Sequence, residues 1–222
     1  MAWPWFAAHP TDPAKPAHGF VRTVLWSVDD TQLVNDGETR LRLKLTDTRA
    51  SQALWPHSFQ LELIITVSTT LQVALVVRNP GDRAFTCGGA LHSYFNVSDV
   101  AKISVEGLQG CTYLDKAAGG AQQVQHGPVT VTEETDRIYL DTTATCVIED
   151  PGWNRQIHIT KAGSHSTVIW NPWIEKSRQL ADFGDNEYSG MICVETTNAA
   201  NDVVTIAPGG VHRLLTAISL KS

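Results

Sequence analysis

The sequence has 222 residues, of which 42% are hydrophobic and 18% charged, a composition typical of a folded protein with a sizeable core. Its 17 basic and 23 acidic side chains give a formal net charge of −6, which argues against a nucleic-acid partner because such proteins concentrate positive charge. No apolar stretch approaches the roughly 20 residues of a membrane-spanning helix, so we expect no membrane partner.

The N-terminal segment is rich in proline and predicts a loop that stays extended up to about Phe20. Residues 1–6 lack the basic and apolar regions of a secretory signal. The four cysteines are widely spaced and form no metal-binding or disulfide pattern. We therefore expect a reduced, cytoplasmic protein without a metal site.

A hydrophobic period of two dominates the chain and predicts β-strands. Residues 59–67 and 71–77 alternate on either side of a short polar turn, which predicts a long β-hairpin. Further predicted strands are Leu41–Leu45, Ile103–Val105, Val129–Val131, Cys146–Ile148, Ile157–Ile159, Val168–Trp170, Val203–Ile206 and Leu214–Leu220. Only Ile174–Ala181 shows helical spacing. With no linker in the chain, the pattern predicts one all-β sandwich domain over residues 1–222, with one or two short helices.

Two residues could carry proton-transfer chemistry. His92 follows a glycine pair and precedes Tyr94, in a setting where an imidazole could act as an acid, although a histidine with a purely structural role is the more common case. Glu195 lies in an apolar run, where burial would raise its pKa toward that of a working base. A structural ion pair is an equal alternative for Glu195.

Three further residues are candidates for substrate contacts. His18 and Arg22 follow the proline-rich loop, and a guanidinium suits a phosphate or carboxylate, although Arg22 could also be an exposed strand residue. Asp136 could accept a hydrogen bond from a sugar hydroxyl, but a solvated acidic turn is the more common reading of its acidic surroundings.

Tryptophans beside proline or glycine suggest a carbohydrate-binding surface, because aromatic rings pack on the apolar faces of sugars. Five tryptophans that lie within two residues of a proline or glycine are candidates for this surface: Trp3, Trp5, Trp153, Trp170 and Trp173. We predict that Trp173 binds substrate. Core or interface packing is the alternative for the whole set.

Several segments in one order resemble the glucose-6-phosphate 1-epimerases, the hexose-6-phosphate branch of the aldose 1-epimerase (galactose mutarotase) family. The segments span nearly the whole chain and are Trp3–Phe6, His18–Arg22, Ala90–Phe95, Asp136–Tyr139, Trp170–Trp173, Asp182 and Cys193–Thr196.

The resemblance implies a galactose mutarotase-like supersandwich that interconverts the α and β anomers of an aldohexose 6-phosphate, with glucose 6-phosphate the expected substrate, and without metal or organic cofactor. It implies that His92 is the general acid and Glu195 the general base. Arg22 matches an arginine that holds the substrate phosphate, Asp136 a substrate-binding aspartate, and His18 a residue of the same pocket. We expect a monomer or weak homodimer.

Two departures from the family pattern concern phosphate binding. The family carries further N-terminal strands, with an Arg-Gly-Gly segment before the Trp-Pro-Trp-Phe motif, and we expect these strands and one phosphate-binding arginine to be missing. Ala17 stands where some members carry a polar side chain.

Two other functions compete with epimerisation. A non-catalytic sugar or sugar-phosphate-binding sandwich would keep the motifs without the activity. Glycoside hydrolysis would need two carboxylates across the scissile bond, whereas the strongest candidates here are one carboxylate and one histidine.

Overall fold

A computed structural model describes residues 1–35 and 37–221, and antiparallel β-strands dominate them. In chain order the strands are β1 Ser27–Asn35, β2 Glu38–Thr46, β3 Gln60–Val67, β4 Thr70–Arg78, β5 Phe85–Cys87, β6 Gly89–Leu91, β7 Tyr94–Asn96, β8 Ser104–Glu106, β9 Thr112–Asp115, β10 Ala121–Val124, β11 Thr135–Tyr139, β12 Cys146–Asp150, β13 Arg155–Ala162, β14 Ser166–Asn171, β15 Met191–Asn198, β16 Val204–Ile206 and β17 Val211–Lys221.

Helical structure is confined to short elements. The α-helices are α1 Arg49–Leu54 and α2 Trp173–Ser177, and the 3₁₀ turns are Val21–Thr23, Pro151–Trp153, Glu187–Gly190 and Ala200–Asp202. A capping box between Thr48 and Ser51 starts α1. Neither α-helix in the described residues is long and apolar enough to cross a membrane.

The first sheet has eight strands in the order β1-β2-β3-β4-β17-β13-β12-β8. It contains the predicted hairpin as β3 and β4, which confirms that prediction. Leu63 of β3 faces Leu75 of β4, and Leu75 in turn faces Leu214 of β17. Since residues in one cross-strand row share a face, this row carries leucines from three strands on one side of the sheet.

The second sheet has seven strands, in the order β10-β9-β11-β14-β15-β6, with β7 also paired to β15. Ile192 and Val194 of β15 belong to a core cluster that includes Ile148 and Ile157 of the first sheet. The two sheets therefore pack as a sandwich through this face of β15. Because side chains alternate along a strand, Glu195 points away from the sandwich core, onto the outer face of the second sheet.

Two secondary-structure predictions need correction, and several elements were not predicted. Val129–Val131 is not a strand, although Val129 forms an isolated bridge with Val105. The predicted helix Ile174–Ala181 is the shorter α2, which ends at Ser177. The elements that were not predicted are the helix α1 and the strands β1, β5, β6, β7, β9, β10, β11 and β15. β1 is an exposed edge strand whose residues show little alternation in burial, so the pattern that identifies a strand is weak there.

Candidate active site

A cavity of about 610 Å³ lies on the outer face of the second sheet. Its walls come from the N-terminal loop, from the sheet and from the segment around α2. The lining residues are Phe6, Ala7, His18, Arg22, His92, Tyr94, Lys116, Asp136, Ile138, Val168, Trp170, Lys176, Leu180, Asp182, Phe183, Glu187 and Glu195. A cavity of this size and mixed lining suits a small polar ligand.

Strand register brings His92 and Glu195 together. β6 pairs with β15 so that Leu91 faces Thr196, and β7 resumes the same register after two unpaired residues. His92, which lies in this gap, therefore stands opposite Glu195. On the other side of β15, Glu195 faces Val168 of β14. The floor of the cavity is thus a cross-strand row that runs from His92, between β6 and β7, across β15 to β14.

His92 and Glu195 form a close, largely desolvated pair. Nε2 of His92 lies 3.4 Å from Oε1 of Glu195, and Glu195 is only 2% exposed. Burial, reinforced by the nearby charge of Asp136, raises the pKa of Glu195 well above its usual range. Burial also lowers the pKa of His92 to about 3, with smaller contributions from neighbouring positive charges. Both shifts favour the uncharged form of each group.

The N-terminal loop positions His18 over the pair. The His18 ring centroid lies 6.1 Å from that of His92, and its Nδ1 accepts a 3.4 Å hydrogen bond from the backbone N–H of Ala7. A side chain at Gly19 would place its Cβ 1.9 Å from the backbone oxygen of Trp3, so only glycine fits there. Burial lowers the pKa of His18, so its neutral form is favoured.

Cationic side chains lie at two parts of the cavity. Arg22 sits in the 3₁₀ turn Val21–Thr23, and its Nη2 donates to the backbone oxygen of Ala17 at 3.3 Å, which leaves most of the guanidinium exposed. Burial raises the pKa of Asp136 on β11, while Lys176 and Lys116 beside it act in the opposite direction. Asp136 is thus a half-buried strand residue and not a solvated acidic turn.

Trp170, and not Trp173, provides the aromatic wall of the cavity. Trp170 faces Asp136 across β11 and β14, and its ring centroid lies 6.1 Å from that of Tyr94. Tyr94 stacks on His92 at 4.8 Å with nearly parallel rings. Trp173 instead packs against Tyr188 and the sandwich core, and it does not line this cavity.

The other tryptophans in the predicted set serve packing. Trp3 and Trp5 are buried in a second apolar cluster with Phe20, and Trp3 packs edge-to-face on Phe59 at 4.7 Å. Trp153 is half exposed beneath the guanidinium of Arg155. The Trp-Pro-Trp-Phe segment therefore anchors the loop that carries His18 and supplies no sugar-binding ring from its two tryptophans.

A group with metal-ligand chemistry lies at the same place. One ligand atom each from His92, Cys193 and Glu195 lies within 4.8 Å of the others. Cys193 is fully buried and shares the outward face of β15 with Glu195, two residues on. The prediction that the protein needs no metal stays a prediction.

Five of the six predicted site residues line one cavity in the structure: His18, Arg22, His92, Asp136 and Glu195. Lys116, Lys176 and Phe183 were missed, because each lies outside the recognised segments and reaches the cavity through the fold. Trp170 had a usable signal, since it alternates with Val168 on β14 and so shares the face that carries the cavity.

Comparison with known proteins supports one family. The family model for aldose 1-epimerase matches residues 1–219. A Cenchrus ciliaris protein provisionally named glucose-6-phosphate 1-epimerase is 34% identical over 211 residues, which cover 91% of this chain and 64% of that protein. An Escherichia coli K12 protein with the same provisional name is 35% identical over 201 residues, which cover 90% of this chain and 66% of that protein.

Solved structures agree with this assignment. The crystal structure of a Salmonella typhimurium protein, provisionally described as a mutarotase, superposes with a TM-score of 0.92 at 32% identity and covers all of this chain and 72% of that one. The chain spans about two thirds of the length of the curated relatives it matches. Sequence and fold together therefore show that the chain belongs to the aldose 1-epimerase family.

Proposed function

We propose that this protein interconverts the α and β anomers of an aldohexose 6-phosphate, with glucose 6-phosphate as the preferred substrate. The observation that carries the proposal is the contact of His92 with Glu195 on the floor of a cavity whose rim includes the cation Arg22. The provisional names of the relatives support the same chemistry.

Mutarotation needs a base and an acid at one carbon atom. Glu195 as a carboxylate takes the proton of the anomeric hydroxyl while His92 as an imidazolium protonates the ring oxygen, so that the C1–O5 bond breaks and an aldehyde forms. Rotation about C1–C2 presents the other face of the aldehyde, and ring closure reverses both transfers. Since both oxygens are attached to C1, the acid and base must be neighbours, which agrees with their 3.4 Å separation.

One proton on the pair is sufficient for this cycle. Burial favours the neutral forms, so without substrate the proton resides on Glu195. Its transfer to His92 over the 3.4 Å contact produces the carboxylate and the imidazolium that ring opening requires. Ring opening returns the proton to Glu195 and leaves His92 neutral, and ring closure restores the carboxylate and the imidazolium.

The surrounding residues position the sugar phosphate. Trp170 offers a flat aromatic surface for the apolar face of the pyranose. Asp136 accepts hydrogen bonds from sugar hydroxyls, and His18 contributes from the N-terminal loop. Arg22 binds the 6-phosphate by a charge-assisted contact that orients C1 over His92 and Glu195.

We assign the activity to a monomer or weak homodimer in the cytoplasm.

Exchange NMR of the two anomeric protons of glucose 6-phosphate tests the proposal. Wild type should accelerate exchange and Glu195→Gln should abolish it, because the amide keeps the shape of the side chain but accepts no proton. Glu149→Gln, on β12 of the other sheet, is the matched control and should retain wild-type exchange. No acceleration by the folded wild-type protein would overturn the proposal in favour of a non-catalytic sugar-binding domain.

A further inference from the structure

We propose that His92, Cys193 and Glu195 also form a binding site for a thiophilic divalent cation such as Zn²⁺, and that the bound cation inhibits the protein. Their ligand atoms lie within 4.8 Å of one another. His92 and Glu195 line the cavity, and Cys193 is fully buried beside them. The inhibition rests on the proposed function, whereas the binding does not.

The arrangement of the three ligands is built into the sheet. Cys193 and Glu195 stand two residues apart on β15 and therefore project from the same face. His92 stands opposite Glu195 because β6 and β7 share one register against β15. β15 is paired on both sides, so Cys193 and Glu195 are held by a strand with neighbours on each side, while His92 lies in the short gap between β6 and β7.

Two buried polar atoms of this group have no hydrogen-bond partner among the described residues. Oε2 of Glu195 is buried and has no hydrogen-bond partner within the described residues, and the same holds for Nδ1 of His92. A buried carboxyl oxygen without a hydrogen-bond partner is costly, and metal coordination is one way in which proteins satisfy such an atom. A thiolate and a carboxylate would neutralise a divalent cation, so the occupied site would carry no net charge.

The donor set selects the kind of metal. Sulfur from Cys193, nitrogen from His92 and oxygen from Glu195 suit Zn²⁺, which commonly takes three protein ligands and keeps one open position. Here the open position would face the cavity. Mg²⁺ and Ca²⁺ prefer oxygen ligands alone, so a mixed set with a thiolate discriminates against them.

Binding would block the acid and the base directly. The thiol of Cys193 loses its proton to solvent as the metal–sulfur bond forms, and Glu195 loses its proton as well, without any change of oxidation state. The metal then occupies the lone pairs of His92 and Glu195 that proton transfer uses. An ion at this site is therefore an inhibitor of the proposed reaction and takes no part in it.

Cobalt(II) is the probe for the test, because a thiolate ligand gives Co²⁺ an intense charge-transfer absorption. Addition of Co²⁺ to the wild-type protein without sugar should produce this band, and Zn²⁺ should displace it. Cys193→Ser should lose the band and weaken Zn²⁺ binding by at least the ~10–100-fold that altered second-shell groups cause. Cys111→Ser, at a cysteine outside the cluster, should keep both properties.

Exchange NMR then tests the inhibition. Zn²⁺ should suppress anomer exchange by the wild-type protein, a chelator should restore it, and Mg²⁺ should have no effect. No charge-transfer band in wild type, or a band that persists in folded Cys193→Ser, would overturn the site. If Cys193→Ser does not fold, two measurements on the wild-type protein test the site: the Co²⁺ charge-transfer band and a rise in melting temperature with Zn²⁺. Absence of either would overturn the site. A band together with no basal exchange would support the site and refute the epimerase.

Discussion

Strands β15 and β1 differ in which side chains they bury: β15 buries polar residues, whereas β1 exposes apolar ones. All eight residues of β15 are buried, although half of them are polar or charged. The edge strand β1 is almost entirely accessible, and its apolar side chains Val28 and Leu33 are 67% and 75% exposed. Burial in this protein thus follows the position of a strand within its sheet more closely than the hydrophobicity of the strand itself.

The polar side chains of β15 differ in how completely they are hydrogen-bonded. Oγ1 of Thr197 lies 2.7 Å from Oγ of Ser166, and Nδ2 of Asn198 donates to the backbone oxygen of Gly163 at 2.9 Å. Glu195 makes the 3.4 Å contact with His92 but leaves Oε2 without a partner among the described residues. The unpartnered oxygen of Glu195 is consistent with its proposed role as the general base.

The largest predicted effect is a loss of anomer exchange when the site beside β15 is changed. His92→Asn should reduce the anomer exchange rate at least ~10²-fold, because the amide cannot supply a proton to the ring oxygen. Exchange NMR measures the rate, and His158→Asn on β13 serves as the control that should keep it. A variant that retains more than about a tenth of the wild-type rate would remove His92 from the role of general acid.

The next largest effect should be on the free energy of unfolding. Leu214→Ala on β17 should lower it by about 2–5 kcal/mol, since the side chain is only 1% exposed and its loss leaves a cavity in the core. Urea denaturation measures the change. A loss below about 1 kcal/mol would mean that the sandwich repacks around the missing side chain.

A smaller effect, on substrate binding, is expected at the rim of the cavity. Arg22→Ala should raise the KM for glucose 6-phosphate about tenfold, the lower end of what a charge-assisted hydrogen bond contributes, because the guanidinium is largely exposed. The KM for free glucose should change little. Arg78→Ala, at an exposed arginine of β4, is the matched control. Equal losses for both sugars would contradict a role for Arg22 in phosphate binding.

The smallest predicted effect is on the free energy of unfolding when the edge strand of the first sheet is changed. Leu33→Ala makes the same deletion as Leu214→Ala but on β1, where the side chain is exposed, and it should change the free energy of unfolding by no more than about 0.5 kcal/mol. The same urea titration measures it. A loss comparable to that of Leu214→Ala would show that β1 is covered in solution.

Much of the fold was predictable where the hydrophobic pattern was strong. The alternation of residues 59–67 and 71–77 identified β3 and β4, because both strands are central and one face is buried. The pattern failed at β1, whose exposed position removes the need for alternation, and at Val129–Val131, where a single bridge replaced a strand. The extent of one domain over residues 1–222 remains a prediction.

The candidate site was predictable to the extent that its residues lie in recognisable segments. His92 and Glu195 were identified from their local sequence, and the structure brings them within 3.4 Å. Trp173 was chosen from the same kind of segment, yet Trp170 reaches the cavity, because strand alternation and the start of α2 direct the two rings to different places. Lys116 and Lys176 had no local signal at all.

The sequence by itself determined the strands with a strong alternating pattern, the residues whose chemistry suits proton transfer or phosphate binding, and the family that the segments resemble, since these properties depend on side-chain chemistry and local periodicity. Only the tertiary structure decided that His92 faces Glu195, that burial lowers the pKa of His92, and that Cys193 joins them. The physical reason is that strand register and desolvation arise from pairing between segments far apart in the chain, which no local pattern records.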